Sequence, residues 1–362
     1  MVLPRTMKAQ VFYEPEKMKL ESRSIPEISP EEVLVRVHAV GICGSDVAYY
    51  YGKSSLGTST GKGPLILGHE LSGVIEKAGP IAAEKGKFQV GDRVVVNPVQ
   101  SDPNSPWTRR GLSNVDLGKV VGVSVDGGLA DYCKSHWYWT VKIPSSMTLD
   151  QAASTEPLAC AVYAVKNARI EKGNFVIIFG PGPVGLMMVQ LAKAAGAGKV
   201  LLAGTRDARL ERGKELGADF IANTRDAASP YHVKDLKKFI QDRHGGELAD
   251  RAVTSTSSLA AIDLAMDVTG RASTVIIFGL PGDKDVIEMP ALQCMLQDKT
   301  IRYSWLAPTS WPEAVESIAT GKVKIDKIQS HRFPLEALAD AIRKLRDRED
   351  NTIKTLIQVA EV

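Results

Sequence analysis

Phe175-Val176-Ile177-Ile178-Phe179-Gly180-Pro181-Gly182-Pro183-Val184-Gly185 is the stretch that decides the fold. Its first five residues are β-branched or aromatic and carry no charge, which reads as a strand buried on both faces. The glycines follow as Gly180-x-Gly182-x-x-Gly185. In such a turn the first glycine permits a tight reversal and the second lets backbone approach a pyrophosphate. The third lets helix and strand pack closely, and the N-terminus of the helix then faces the phosphates. Three glycines alone are a weak signal. Here an apolar helical pattern from Val184 to Ala195 follows, and the strand pattern Lys199-Val200-Leu201-Leu202-Ala203 comes next, which is the context a dinucleotide-binding turn requires.

Outward from this unit the texture continues. A shift to a polar helix covers Arg206 to Leu216, Ala218-Asp219-Phe220-Ile221-Ala222 follows, and Ser273 to Leu280 reads as a later buried strand. Strands alternating with helices predict a parallel sheet built from βαβ units. The first half differs. Val33 to Val40 and Gly91 to Val96 are short β-branched runs, densely punctuated by Gly, Pro and Ser, as in a partly closed barrel with long functional loops. Past Thr300 prolines return at 308, 312 and 334, with short helical patterns over Pro312–Thr320 and Leu335–Arg346. A chain of 362 residues exceeds one ordinary core. The expected class is α/β: a Rossmann doubly wound parallel sheet plus a β-barrel domain. There is no internal repeat or low-complexity segment.

Composition excludes more than it decides. Hydrophobic residues make up 44% and charged residues 24%, the values of an average soluble globular protein. The net charge of +3 comes without a basic block, so neither nucleic acid nor an anionic membrane is an expected partner. Apolar runs are strand-sized, and no membrane span is expected. Met1 to Lys8 lacks the apolar segment of a secretion signal, and the cysteines at 43, 133, 160 and 294 form no disulfide framework. These features favour the cytoplasm.

The cofactor-binding residues expected from this pattern are Gly180, Gly182, Pro183, Val184 and Gly185 in the turn, with Phe278, Gly279 and Leu280 at the end of the later strand. The end of the second strand usually carries an acid that binds the ribose hydroxyls of NAD. Here it reads Gly204-Thr205-Arg206, with Asp207 set further on. Glycine leaves space, Thr205 can donate a hydrogen bond, and the Arg206 guanidinium matches a phosphate in shape and charge. NADP is therefore favoured over NAD.

A second constellation lies upstream. Cys43, His69, Glu70 and Glu156 supply a soft thiolate, an imidazole and two carboxylates, the ligand types that bind zinc. Taken singly, Cys43 reads as a small buried hydrophobe and His69 as a core histidine. A metal that polarises an oxygen, beside a cofactor that carries hydride, points to alcohol–carbonyl redox.

Val40-Gly41-Ile42-Cys43-Gly44-Ser45-Asp46 and Pro64-Leu65-Ile66-Leu67-Gly68-His69-Glu70-Leu71-Ser72-Gly73-Val74 together resemble the zinc-dependent medium-chain alcohol dehydrogenases. Gly91-Asp92-Arg93-Val94, Asp126-Gly127-Gly128-Leu129-Ala130-Asp131-Tyr132 and the glycine turn continue the resemblance in order over nearly the whole chain. Thr155-Glu156-Pro157-Leu158-Ala159 and His331-Arg332-Phe333-Pro334-Leu335 place it nearest the sorbitol, polyol and butanediol dehydrogenase branch. The resemblance implies a GroES-like catalytic domain over residues 1–158, a Rossmann domain over 159–300 and a C-terminal segment, 301–362, that returns to the catalytic domain. It implies one catalytic zinc bound by Cys43 and His69. Glu156 would be the third ligand, directly or through water, and Glu70 a carboxylate able to enter or leave the coordination sphere. Ser45 corresponds to the hydroxyl that bonds the substrate oxygen and takes its proton. A homodimer or homotetramer acting on a small alcohol or ketone is expected.

Three departures qualify the resemblance. Asn97 to Lys119, where many relatives hold a structural zinc with four cysteines, contains none, so no second zinc is expected. That stretch reads as a loop held by packing of Pro103, Pro106 and Trp107, with Cys133 beyond it a structural thiol. Ala48 stands where many relatives carry a proton-relay histidine, leaving Tyr49, Tyr50 and Tyr51 as mouth-lining or packing residues. Aligned on Trp311-Pro312 without gaps, Leu306-Ala307 occupies the place of the polyol-binding Arg-Tyr pair, and Arg302-Tyr303 sits four residues too early. The expected activity is NAD(P)-dependent interconversion of a secondary alcohol and a ketone less hydroxylated than a simple polyol. A sorbitol- or xylitol-type dehydrogenase is the alternative. A zinc-free reductase of the same superfamily and a catalytically inactive nucleotide-binding or structural protein on the same fold are disfavoured by the intact Cys43, His69 and Glu70.

Overall fold

The computed structural model describes residues 3–54 and 63–361. Two compact units emerge from its contacts: Met1–Pro157 with Pro308–Gly321 and Ile325–Val362, and Leu158–Ala307 with Lys322–Lys324.

The second unit is a six-stranded sheet in the order Phe220–Asn223, Lys199–Gly204, Phe175–Phe179, Ala249–Thr254, Thr269–Ile277, Thr300–Tyr303. Every neighbouring pair is parallel, with Val176 opposite both Val200 and Arg251. In sequence terms the order runs third, second, first, fourth, fifth, sixth, the doubly wound arrangement whose direction reverses beside the first strand. The helix Pro183–Ala194 is buried along most of its length, which its Leu, Met, Val and Ala content permits. Its close packing rests on Gly185. A Cβ there would lie 1.9 Å from the Gly180 carbonyl oxygen, and Gly180 itself turns at φ +100°. The later strand stops at Ile277, so Phe278, Gly279 and Leu280 lie in the loop beyond it rather than within the strand. The backbone N–H groups of Phe278 and Gly279 still donate to the Thr254 carbonyl, at 3.1 and 2.9 Å.

The first unit is β-rich. Its main sheet runs Thr140–Lys142, Arg93–Val96, Glu70–Ala78, Glu32–Gly41, Lys354–Gln358, Gln329–Pro334, with Tyr132–His136 also paired to Glu32–Gly41. Alternation along Glu32–Gly41 turns Val33, Val35 and Val37 into a core shared with Leu71, Ile75 and Val94. The Asn97–Lys119 stretch differs from the expectation of a packed loop. Its short strands Val99–Gln100 and Lys119–Val120 pair with each other, and hydrogen bonds close it: Ser101 Oγ to the Ser113 carbonyl (3.1 Å), Ser105 Oγ to Asp116, and Trp139 Nε1 to the Ser101 carbonyl (2.9 Å). Trp107 is 44% exposed, with the Arg110 guanidinium over its ring, and so does not anchor the loop. Polar satisfaction does here what aromatic packing was expected to do.

Cys133 is buried, and burial pushes its thiol pKa up to about 12, as an inert structural cysteine requires. All four cysteines are free. Among the described residues no helix is long and apolar enough to cross a membrane.

Candidate metal and nucleotide sites

One strand pairing assembles the metal cluster. Gly41 ends its strand directly opposite Glu70, the first residue of the neighbouring strand. Cys43 lies two residues beyond Gly41 and caps the short helix Gly44–Tyr50, while His69 immediately precedes Glu70. The register therefore carries residues distant in sequence to one point. Cys43 Sγ, a ring nitrogen of His69 and a carboxylate oxygen of Glu70 all lie within 4.8 Å of one another. Among the described residues no other group of His, Cys, Asp and Glu side chains meets that spacing. Thiolate, imidazole and carboxylate are the donors zinc takes, so the cluster fits the ion.

The surroundings hold the donors in place. Asp46, fully buried, accepts the Cys43 backbone N–H at 2.9 Å through Oδ2, and its Oδ1 lies 3.6 Å from His69 Nδ1. That separation is longer than a hydrogen bond, so Asp46 acts on the His69 ring through its charge. Ser45 Oγ lies 3.4 Å from His69 Nε2, which sets the hydroxyl beside the metal position. Lys354, from the adjacent strand Lys354–Gln358, pairs its ammonium with Glu70 Oε2 and donates to the Ile42 carbonyl at 2.9 Å.

Burial and neighbouring charges act together on the titratable groups around the cluster. Burial alone would lower the His69 pKa, but Asp46, Cys43 and Glu156 outweigh it and hold the imidazole well above its ordinary value. Burial raises the Asp46 carboxyl, against the opposing pull of His69 and the Cys43 N–H. Burial lowers the Lys354 pKa, yet Glu70, Cys43 and Glu156 more than compensate and leave it above the usual lysine value. An excess of anionic groups around buried nitrogens is what an incoming cation would relieve, with His69 giving up its proton on coordination.

Other sequence-derived residues fall as follows. Glu156 is the second residue of the helix Thr155–Asn167 and half-buried; it is outside the mutual 4.8 Å group, although its charge acts on both His69 and Lys354. Tyr49 is buried in the core of its unit, while Tyr50 and Tyr51 stack edge-to-face at 5.0 Å with the Arg346 guanidinium over Tyr51. Packing accounts for all three.

In the second unit Gly180, Gly182, Pro183, Val184 and Gly185 form the strand-to-helix turn, with open space around a Cβ at Gly182 where a phosphate would approach. A Cβ at Gly204 would meet Pro181 Cδ at 2.4 Å, so the end of the second strand lies against that same turn. Thr205 is half-buried and Arg206, exposed, caps the helix Asp207–Glu215. The Asp207 carboxylate accepts hydrogen bonds from Asn223 Nδ2 and Ser229 Oγ, both at 2.7 Å. Arg302 and Tyr303 stand on the outermost strand, Tyr303 being 63% exposed, and Ala307 is buried.

Two supporting residues escaped the sequence reading. Ser255 Oγ donates to the Phe179 or Gly180 carbonyl, at 2.9 and 2.8 Å, and so braces the glycine turn. Lys354 had a signal: a single lysine in the run Ile353-Lys354-Thr355-Leu356-Ile357, whose strand is otherwise buried. A charge at such a position demands a buried partner, but nothing local says which one.

Comparison with known proteins agrees with this arrangement. Residues 29–145 match the alcohol dehydrogenase GroES-like domain, and residues 183–320 match the zinc-binding dehydrogenase domain. The chain is 31% identical to the sorbitol dehydrogenase of Bacillus subtilis, with 98% of each chain covered. It is also 31% identical to that of Gallus gallus over 94% of each. Among solved structures it is similar to 2R,3R-butanediol dehydrogenase from Bacillus subtilis, with a TM-score of 0.87 and 25% identity over 98% of this chain and 100% of that one. A zinc-binding dehydrogenase from Sinorhizobium meliloti bound to NADP gives 0.86 at 25% identity, covering 98% of this chain and 99% of that one.

Proposed function

The chain belongs to the zinc-dependent medium-chain alcohol dehydrogenase family, and from that premise we propose that it interconverts a secondary alcohol and a ketone less hydroxylated than a simple polyol. The observation that carries this reading is the clustering of Cys43, His69 and Glu70 beside the Ser45 hydroxyl. When bound, zinc supplies a Lewis acid for the substrate oxygen and the nicotinamide a hydride carrier. Cys43 and His69 would hold the metal, Glu156 or Glu70 would complete its protein ligands, and the Asp46 charge lies beside His69. Ser45 would hydrogen-bond the substrate oxygen and, on oxidation, take its proton while passing its own hydroxyl proton to solvent, to which it is partly exposed. Ala48 offers no onward relay. Among the described residues only one constellation has zinc-ligand chemistry, so the reading is one zinc per chain. The hydrogen bonds that close the Asn97–Lys119 loop support this reading.

NADP is the proposed cofactor. The turn at Gly180–Gly185 receives the pyrophosphate, and Gly204, Thr205 and Arg206 accommodate the 2′-phosphate. The Asp207 carboxylate supports this reading, because hydrogen bonds from Asn223 and Ser229 engage the acid nearest the end of the second strand. A homodimer or homotetramer is the proposed assembly. Thr300–Tyr303 is one edge strand of its sheet; Tyr303 on it and Leu292, Met295 and Leu296 on the helix Ala291–Leu296 before it are exposed. An unpaired edge with apolar neighbours suits antiparallel pairing with a second copy of itself, since a two-fold contact is self-complementary.

Three outcomes follow. Across a panel of alcohols and ketones, simple secondary alcohols should be turned over well and sorbitol or xylitol poorly. Leu306-Ala307, in the sequence place of the polyol-binding Arg-Tyr pair, offers no side-chain donor, and each substrate hydroxyl left unpaired costs about 1–3 kcal/mol; high kcat/KM on sorbitol or xylitol would refute the assignment. Arg206→Ala should weaken NADP binding about ten- to a hundredfold and leave NAD nearly unchanged, since one charge-assisted pair with the 2′-phosphate is lost. Equal losses for both cofactors would show that Arg206 does not meet the phosphate. Met295→Glu should shift the chain toward monomers in sedimentation velocity, whereas an unchanged assembly would place the interface elsewhere.

A further inference from the structure

Phe220–Asn223, the edge strand beside Lys199–Gly204, runs into a closed turn at the end of the sheet that carries the glycine turn. Gly204 pairs with Asn223, and the Thr224 N–H donates to the Gly204 carbonyl at 2.8 Å. Arg206 lies two residues beyond Gly204 and Arg225 two residues beyond Asn223. Two arginines therefore follow neighbouring strand ends at the same offset, where paired strands are only about 4.8 Å apart. The turn is braced at its base. The Asn223 N–H donates to the Tyr231 carbonyl at 2.8 Å, and the Val233 N–H donates to the Asn223 carbonyl at 3.0 Å. Asn223 Oδ1 accepts the N–H groups of Arg225 and Asp226, at 3.1 and 2.9 Å, which fixes the backbone that presents Arg225.

Charge gives this arrangement a purpose. Three acids of the corner are engaged by the turn itself. Asn223 Nδ2 and Ser229 Oγ both donate to Asp207 Oδ1 at 2.7 Å. The Tyr231 hydroxyl donates to Glu211 Oε1 at 2.9 Å, and Asp226 Oδ1 accepts the Ala228 N–H at 3.0 Å. Arg225, by contrast, is exposed and belongs to none of the ion pairs among the described residues. A turn that ties down carboxylates and leaves a guanidinium in water suits an anion, and phosphate is the anion whose oxygens match paired guanidinium donors. Because its base is fixed, the turn loses little freedom when it binds. Resting on the NADP reading, we propose that the Asn223–Tyr231 turn is a second cofactor-selecting element: Arg225 joins Arg206 on the 2′-phosphate, while Asn223 and Ser229 hold the Asp207 carboxylate to the turn and off the ribose.

The test titrates the full-length chain by calorimetry with two probes, 2′,5′-ADP and 5′-AMP, which differ only in the 2′-phosphate. The unmodified chain should bind 2′,5′-ADP more tightly than 5′-AMP. Arg225→Ala changes an exposed side chain and leaves the turn's hydrogen bonds intact. It should weaken 2′,5′-ADP about tenfold and leave 5′-AMP unchanged, since one charge-assisted contact is lost. Arg225→Lys, which keeps the charge, should recover part of that loss. Ser229→Ala removes one donor from Asp207. A merely structural serine would weaken both probes alike. A positioning serine should weaken 2′,5′-ADP at least about threefold while 5′-AMP binds as well or better, because the freed carboxylate repels phosphate and accepts from ribose hydroxyls. Unchanged 2′,5′-ADP affinity in Arg225→Ala, or equal losses of both probes in Ser229→Ala, would overturn the proposal. An unmodified chain with no preference for 2′,5′-ADP would instead refute the NADP reading, and the proposal with it.

Discussion

Opposite charges placed in a water-poor interior have to be brought together, and the pairing of Gly41 with Glu70 is where this protein does so. Cys43, His69 and Glu70 converge because two antiparallel strands end and begin at that point, not because a local motif folds around an ion. The third strand brings Lys354, and a glycine at 41 leaves the room that any side chain would fill. The cost of burying these groups separately would be several kcal/mol each. Together they neutralise one another in part. The sheet is the scaffold of this site, and a one-residue slip in its register would turn Glu70 to the opposite face.

The nucleotide-binding unit obeys a different constraint, steric rather than electrostatic. Gly180 takes a positive φ and Gly185 presses against its carbonyl, so strand and helix approach closely and the helix N-terminus lies at the turn. That contact does not depend on a metal. Each unit thus carries its own part of the proposed site: one the Cys43, His69 and Glu70 cluster with the Ser45 hydroxyl, the other the glycine turn.

Much of this was legible in the sequence, and the reasons for success and failure are physical. The run Phe175–Phe179 is apolar throughout because both faces of a central parallel strand are covered, and it is found as such. Cys43 with Ser45 and His69 with Glu70 were legible because their chemistry is unusual in combination. The contribution of Lys354 was not, since its partner Glu70 lies far away in the chain and only strand order brings them together. The Asn97–Lys119 loop misled for a related reason. Trp107 suggests burial by its size, but the hydrogen bonds of Ser101, Ser105 and Trp139 already close the loop and leave that ring at the surface. The strand Thr269–Ile277 begins four residues before Ser273 and ends three before Leu280, because Phe278 and Leu280 continue the apolar pattern past the last paired residue.

The central claim is that one buried cluster binds one catalytic zinc. Elemental analysis of the purified full-length chain, alongside Cys43→Ala and His69→Ala, tests it most directly. The account predicts about one zinc per chain, lost in both variants together with turnover, while nucleotide binding persists. Two zincs per chain, none at all, or either variant retaining its metal and near-normal activity would contradict it.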